Sequence, residues 1–255
     1  MGKIVAVVNQ KGGVGKTSTC INLCCGLNLR NKRVLLCDCD PQGNATSGMG
    51  ADKSLEPNTY DVLINGADPN SAIFKTKYGS LMPSNRELSG ALVELVGLEN
   101  REYILRDALQ PLCDKFDYII IDCPPSLELL TLNALCAADS LIVPVQCEYF
   151  ALEGLTDLLN TVKTIKKRLN PKLELEGILM TMYDSRTNLS LQVEDEIKKF
   201  FGDKVYETRI PRNVRISEAP SYGKPVIAYD KLSKGSRAYL HFVNEFIKAQ
   251  PKQNK

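Results

Sequence analysis

The strongest constraint on this chain lies in its first thirty residues. An apolar, β-branched run, Ile4-Val5-Ala6-Val7-Val8, leads into Lys11-Gly12-Gly13-Val14-Gly15-Lys16-Thr17-Ser18 and then into a helix-like stretch ending at Leu29. Strand, glycine-rich turn and helix, in that order, are what a phosphate-binding loop requires. Glycines let consecutive backbone N–H groups converge on one point. The first turn of the following helix adds unpaired donors and a partial positive charge at the same place. On this reading Gly12, Gly13, Val14, Gly15, Lys16, Thr17 and Ser18 cradle phosphate. Lys16 reaches the β- and γ-phosphates of a nucleotide, and the Thr17 hydroxyl holds Mg²⁺. The plainer alternative is a strand–helix turn with a surface lysine. The Gly-Lys-Thr context argues against it.

The rest of the pattern supplies a sheet for that first strand. Residues 34–37, 116–122, 140–145, 175–182 and 205–210 are apolar runs of strand length, and Leu81-Met82-Pro83 ends a further one. Between them, periodic stretches predict helices over 20–29, 88–98, 103–112, 129–138, 151–169, 191–201 and 233–248. Wholly apolar strands are those buried on both faces. Strand and helix alternate, so the expected fold class is α/β: a mainly parallel, twisted sheet with helices on both faces, of the P-loop NTPase type. Residues 50–80 read as the least regular part, with short helical pieces, and 211–231 as a proline-punctuated loop. With 255 residues and no linker or repeat, a single domain, 1–255, is expected.

Hydrophobic residues at 44% and charged residues at 24% are values for a globular chain with a sizeable core. No run has the length of a membrane-spanning helix, and the chain starts straight into a strand, so a soluble, cytoplasmic protein is expected. The nine cysteines form no Cys-x-x-Cys pair. They read as small buried hydrophobes in a reducing compartment, not as a disulfide or zinc framework. The one histidine, His241, lies among Leu240, Phe242 and Val243 on the last predicted helix, so a histidine-dependent triad has no support. Net charge is only +2, but residues 183–255 hold 14 Lys and Arg against 9 Asp and Glu. That excess permits a polyanion-binding face. Solvated surface charge is the plainer reading of composition alone.

Phosphoryl transfer to water needs a metal shell and a group that orients the water. Asp122 closes the apolar run Ile119-Ile120-Ile121, the Walker B pattern of a carboxylate that holds Mg²⁺. Asp38 and Asp40 end another strand in Asp38-Cys39-Asp40-Pro41-Gln42-Gly43-Asn44, at the edge where open parallel sheets bind ligands. For Asp38, a strand-end aspartate held by backbone N–H groups is the competing reading.

The loop departs from the common G-x-x-x-x-G-K-[ST] form, with Gln10 where a glycine is expected and Lys11 five residues before Lys16. Lys11-Gly12-Gly13-Val14-Gly15-Lys16-Thr17 resembles the deviant Walker A loop of the ParA/MinD ATPases. The likeness to the short chromosomal ParA type, called Soj, covers nearly the whole chain, including 38–48, 118–126, 144–154, 185–189 and 210–220. It implies a catalytic set of Lys11, Lys16 and Asp40. Lys11 would reach across a dimer interface to the nucleotide of the other subunit, and Asp40 would position water. Asp38 would join Thr17 and Asp122 around Mg²⁺. Glu148 would lie at the dimer interface near the ribose. Pro211 would pack on adenine and Asn213 bond its edge, with Met180 and Met182 either closing the slot or filling the core.

The resemblance further implies ATP and Mg²⁺ as cofactors and an ATP-dependent homodimer. That dimer would bind nonspecific double-stranded DNA through Arg186 and Arg215, with Lys198, Lys199, Lys224, Lys231 and Arg237 extending the patch. Hydrolysis would be slow and stimulated by a ParB/Spo0J-type centromere-binding protein, in a nucleoid-associated segregation cycle. The rival is a MinD-like membrane-associated ATPase, which needs a basic amphipathic helix beyond the last core helix. The tail 249–255 is short and polar, so no stable membrane anchor is expected.

Overall fold

The computed structural model describes residues 2–250. Its strands are β1 (Lys3–Val7), β2 (Val34–Asp38), β3 (Phe74–Thr76), β4 (Gly79–Met82), β5 (Tyr118–Asp122), β6 (Ser140–Gln146), β7 (Glu174–Tyr183) and β8 (Val205–Pro211). Its α-helices are α1 (Lys16–Asn28), α2 (Asn44–Gly48), α3 (Thr59–Leu63), α4 (Ala91–Glu94), α5 (Ile104–Leu109), α6 (Leu129–Ala137), α7 (Ala151–Arg168), α8 (Asn188–Phe201), α9 (Val214–Glu218), α10 (Val226–Tyr229) and α11 (Lys234–Ala249). The strands join in one sheet of order β3-β4-β2-β5-β1-β6-β7-β8. Only the β3–β4 hairpin is antiparallel; the other pairings are parallel. The α/β architecture expected from the alternating pattern is the one found.

Alternation along each strand splits the core into two layers. Ile4, Ala6 and Val8 face one side of β1, with Leu130, Leu158 and Ile197 of α6, α7 and α8 in the same layer. Val5 and Val7 face the other side, with Leu23 and Leu27 of α1 and Phe242 and Phe246 of α11. Edge-to-face contacts Tyr118–Phe246 and Tyr206–Phe242, at 5.4 and 4.9 Å between ring centres, seat α11 on the sheet. The buried Tyr239, Phe242, Val243 and Phe246 make α11 a core helix, while His241 is exposed. Residues 251–255, most of the polar tail noted in the sequence, lie outside the described residues. No described helix is long and apolar enough to cross a membrane. All nine cysteines are free and buried.

Four local expectations are corrected. The helix predicted over 88–98 is broken into a 3₁₀ turn, α4 and a second 3₁₀ turn. Gly90 and Gly97 lower helix propensity there. The helix over 103–112 stops at Leu109, where Pro111 opens a 3₁₀ turn. The irregular 50–80 region holds α3 as its short helical piece, but also the β3–β4 hairpin, whose strands of three and four residues are too short to show a period. The loop 211–231 likewise folds into α9 and α10.

Three strand ends meet at one corner of the sheet. Asp122 pairs with Val7 on one side and with Asp38 on the other. The glycine-rich loop leaves β1 at this corner and enters α1, which packs closely on α11 at Gly26. A Cβ built there would sit 2.5 Å from Val243 Cγ2. Overpacking of such a contact costs roughly 1–3 kcal/mol. Gly26→Val is therefore expected to lower the urea-unfolding free energy by that amount; an unchanged midpoint would contradict this α1–α11 contact.

Candidate functional site

Gly13 and Gly15 hold φ of 74° and 88°. L side chains rarely adopt this region, so the loop turns tightly before α1 begins at Lys16. α1 has neither a side-chain cap nor an acid in its first turn, which leaves its N-terminal donors and partial positive charge for a ligand. The loop is tied to two strands. The Asn9 side chain donates to the Pro144 carbonyl of β6 at 2.8 Å and accepts from the Lys11 N–H at 2.9 Å. The buried Thr181 of β7 donates its hydroxyl to the Val14 carbonyl at 2.8 Å.

The two lysines of the loop take opposite places. Lys16 is buried, and its ammonium donates to the Lys11 carbonyl at 3.0 Å. Burial lowers its pKa, and the neighbouring Asp122 and Asp40 carboxylates offset this in part. Lys11 stands at the rim, its side chain 53% exposed, and pairs with Glu148 of the same chain. Tyr149 and Phe150, which follow Glu148, are exposed and pack edge to face on each other.

Below Lys16 lie the carboxylates. Asp122 is fully buried; the Cys20 thiol donates to one oxygen at 3.4 Å, and Oδ2 has no hydrogen-bond partner. Burial raises its pKa well above the carboxylate range and Asp38 raises it further, against the pull of Thr17 and Cys20. A buried carboxylate oxygen without a donor is costly unless a cation meets it. Oδ2 of Asp122, close to Thr17 at the head of α1, is thus a corner that fits Mg²⁺. Among the described residues, no three His, Cys, Asp or Glu side chains converge on a ready-made metal site. Mg²⁺ rarely uses an all-protein cage; one or two carboxylates suffice beside phosphate and water.

Asp38, expected around Mg²⁺, meets protein donors with both carboxylate oxygens. Its Oδ2 accepts from the Thr46 N–H and hydroxyl at 2.8 and 2.7 Å, and its Oδ1 from the Asp40 N–H at 3.1 Å. Burial pushes its pKa up to about 6 even so. These bonds make Asp38 an anchor for the turn that carries Asp40, beside the metal corner. They are the bonds that the competing sequence reading, a strand-end aspartate held by N–H groups, expects. Thr46, eight residues away on α2, had no periodic signal to announce it. Asp40 is buried and accepts from the Gln42 N–H at 2.9 Å, while its own carbonyl accepts from Ser84.

A cavity of about 350 Å³ opens beside Gly15 and Ser18, with Met182, Pro211, Asn213 and Tyr239 in its walls. Pro211 and Asn213, the residues expected beside adenine, both line this cavity. Met180 is core instead: it is fully buried, 3.7 Å from the Cys147 sulfur, because alternation turns it to the opposite face from Thr181. Thr181 and Tyr239 were missed, since nothing in their local sequence separates them from core residues. A larger apolar groove of about 720 Å³ lies between α7 and α8, past Leu159 and Phe200. None of the glycine-rich loop residues lines it.

The candidate DNA-contacting arginines are exposed, and each is held by carboxylates. Asp184 grips Arg186 with two bonds of 2.8 and 2.7 Å, and this contact holds Asp184 down to about 2. Arg215 pairs with Glu218 at 2.8 Å and Asp230 at 3.5 Å. Lys198 is engaged with Glu194 and Glu207 at 3.1 and 3.6 Å, which weakens its claim to the patch. Lys199, Lys224, Lys231 and Arg237 are exposed.

Residues 2–175 match a family model described as an AAA domain. The chain is 56% identical over 248 residues to the sporulation initiation inhibitor protein Soj of Bacillus subtilis, covering 96% of this chain and 98% of that one. It is 51% identical over 251 residues to the chromosome partitioning protein ParA of Myxococcus xanthus, with coverage of 97% and 89%. Its structure is similar to that of a cobyrinic acid a,c-diamide synthase of Mycobacterium smegmatis with bound ADP and magnesium. There the TM-score is 0.85 and the identity 39%, covering 97% of this chain and 95% of that one.

The raised pKa of Asp38 has a definite sign. An unfolded aspartate titrates near 3.9. Between about pH 4 and 6 the folded state therefore holds a proton the unfolded state has lost. This group favours folding below that window, and its contribution, about 3 kcal/mol, is lost as pH rises through it. In the nucleotide-free protein, Asp38→Asn is expected to flatten the fall in unfolding free energy from pH 4 to pH 6 relative to the parent. Equal slopes in urea titrations would remove Asp38 from the pH response.

Proposed function

Since the chain belongs to the Soj/ParA family of chromosome-partitioning ATPases, we propose that it acts as a single ATPase domain, 1–255, whose ATP-bound dimer holds nonspecific DNA. The observation that carries this reading is the division of labour between the two loop lysines. Lys16 is buried over carboxylates, and Lys11 stands at an exposed rim with Glu148 and two exposed aromatic rings. One nucleotide contact needs only the first. The second is poised for a phosphate held by another copy.

In this reading residues 12–18 cradle the triphosphate of ATP. Thr17 and Asp122 would hold Mg²⁺, which would supply charge neutralisation to the phosphates when bound. The unpartnered Oδ2 of Asp122 is the oxygen that would meet the cation. Asp40 orients the attacking water, with its turn fixed by Asp38. Pro211 covers the adenine face, and the Asn213 amide N–H donates to its edge. Lys11 leaves Glu148 for the partner copy's phosphates, where its charge acts as an arginine finger does. Glu148 is then free for the ribose, and Tyr149 and Phe150 are buried between copies.

Dimerisation brings two sets of Arg186 and Arg215 onto one surface. These arginines exchange Asp184 and Glu218 for DNA phosphates, so binding weakens steeply with salt. Family membership supports slow hydrolysis stimulated by a ParB/Spo0J-type partner, in the cytoplasm at the nucleoid. The buried face of α11 does not favour the MinD-like membrane role.

Electrophoretic shift of DNA with ATP, ADP or neither, across salt, tests the whole reading. Arg186→Glu combined with Arg215→Glu is expected to weaken DNA binding more than about tenfold while ATP-dependent dimers still sediment; undiminished binding would move the DNA surface elsewhere. Asp40→Ala is expected to slow turnover by roughly 100-fold and to leave the ATP-bound dimer on DNA. Parent-like turnover would exclude Asp40 from the mechanism.

A further inference from the structure

The walls of the base-side cavity are also the roots of the two arginine-bearing segments. Thr181 and Met182 form one wall, and four residues on comes Arg186. Pro211 and Asn213 form another, and the side-chain Oδ1 of Asn213 accepts the Arg215 N–H at 3.1 Å. The Tyr183 carbonyl accepts the Arg212 N–H at 3.2 Å, which joins the two walls. Between cavity and surface the backbone is irregular. Met182 holds φ of 49°, a left-handed conformation that is a strained one for a side chain of this size. The β7–β8 register shifts between Met180 and Tyr183. Bulges of this kind re-aim the residues that follow and gather at functional sites.

From these contacts we infer that Thr181 and Met182 are positioning residues that transmit the state of the phosphate loop to the Arg186 segment. The inference rests on the proposed ATP and DNA roles above and names the device that links them. The physical route is short. A peptide unit is planar, so the Val14 carbonyl and the Gly15 N–H point in opposite directions. Thr181 grips the carbonyl end, and its methyl carbon lies 3.7 Å from where a Cβ on Gly15 would sit. A phosphate that takes the Gly15 N–H turns the plane that Thr181 holds. Thr181 cannot slide freely, because it is buried and paired within the sheet. The displacement passes into Met182, the strained residue beside the register shift. Tyr183 and Asp184 follow, and Asp184 fixes Arg186 through its carboxylate and Thr187 through its carbonyl. Thr187 caps α8, so the segment is held at its far end.

Amide hydrogen exchange on the full-length protein tests this without DNA. Mg²⁺-ATP is raised until the peptide covering 10–18 is fully protected. In the parent, exchange of the peptide covering 184–190 is then expected to change by about threefold or more. Thr181→Val, which keeps the shape but removes the hydroxyl, should abolish that response at matched loop protection, and Thr181→Ser should restore it. A parent-like response in Thr181→Val overturns the inference, as does a parent whose 184–190 peptide ignores ATP. If Thr181→Val does not take nucleotide, Met182→Gly decides, since it relaxes the strained residue and leaves the Thr181 bond in place: a blunted 184–190 response supports the relay, and an unchanged one overturns it. Failure of the underlying reading looks different. It shows as absent protection of 10–18 in the parent, or as DNA binding that survives Arg186→Glu combined with Arg215→Glu.

Discussion

Two carboxylates stand side by side at the ends of adjacent parallel strands, out of reach of water, beside one buried lysine ammonium. Parallel pairing sets Asp38 against Asp122, and the strand next to Asp122 feeds the glycine-rich loop. Desolvation disfavours the ionised form of both groups; Asp38 raises Asp122 further, and Asp40 does the same to Asp38. Thr46 and the Asp40 N–H satisfy Asp38, but one oxygen of Asp122 has no such partner. The corner is short of positive charge, and a divalent cation bound to a polyphosphate is the chemistry that balances it. The loop bonds to β6 and β7 matter because they hold Lys16 and the N-terminus of α1 against that corner.

From this imbalance the rest of the molecule takes its meaning. Lys16 is confined inside, where its charge is needed. Lys11 stands at the rim, where an exposed ion pair with Glu148 is weak enough to be exchanged for another contact. The exposed aromatic pair beside it is an apolar patch of the sort buried when surfaces meet. On the other side, the segments lining the base cavity carry Arg186 and Arg215 outward, each neutralised by its own carboxylates. Nucleotide site, rim and basic surface thus share backbone, which is the economical way for one binding event to alter another.

Much of this was legible in the residues. The glycine-rich loop stood out because its spacing is local and its chemistry demands particular residue types. Asp122 and Asp40 followed from apolar runs that end in acid, and the α/β architecture from alternating long elements. The misreadings have a common cause. The 88–98 segment, the β3–β4 hairpin and α9 and α10 are elements shorter than the period needed to recognise them. For Asp38, nothing local announces that Thr46 will reach it. Met180 and Thr181 are neighbours in sequence, yet pleating sends one to the core and the other to the phosphate loop.

The sequence by itself therefore determined the phosphate loop, the strand-end acids and the layered α/β fold, because each is written within a single element and its immediate flanks. Tertiary structure alone decided which carboxylate keeps an unpartnered oxygen, that Lys11 and Glu148 meet in one chain, and that Thr181 grips the loop. Each of those joins residues 8 to 167 positions apart. Such contacts depend on sheet order and on which face a strand presents, and no local period encodes either one.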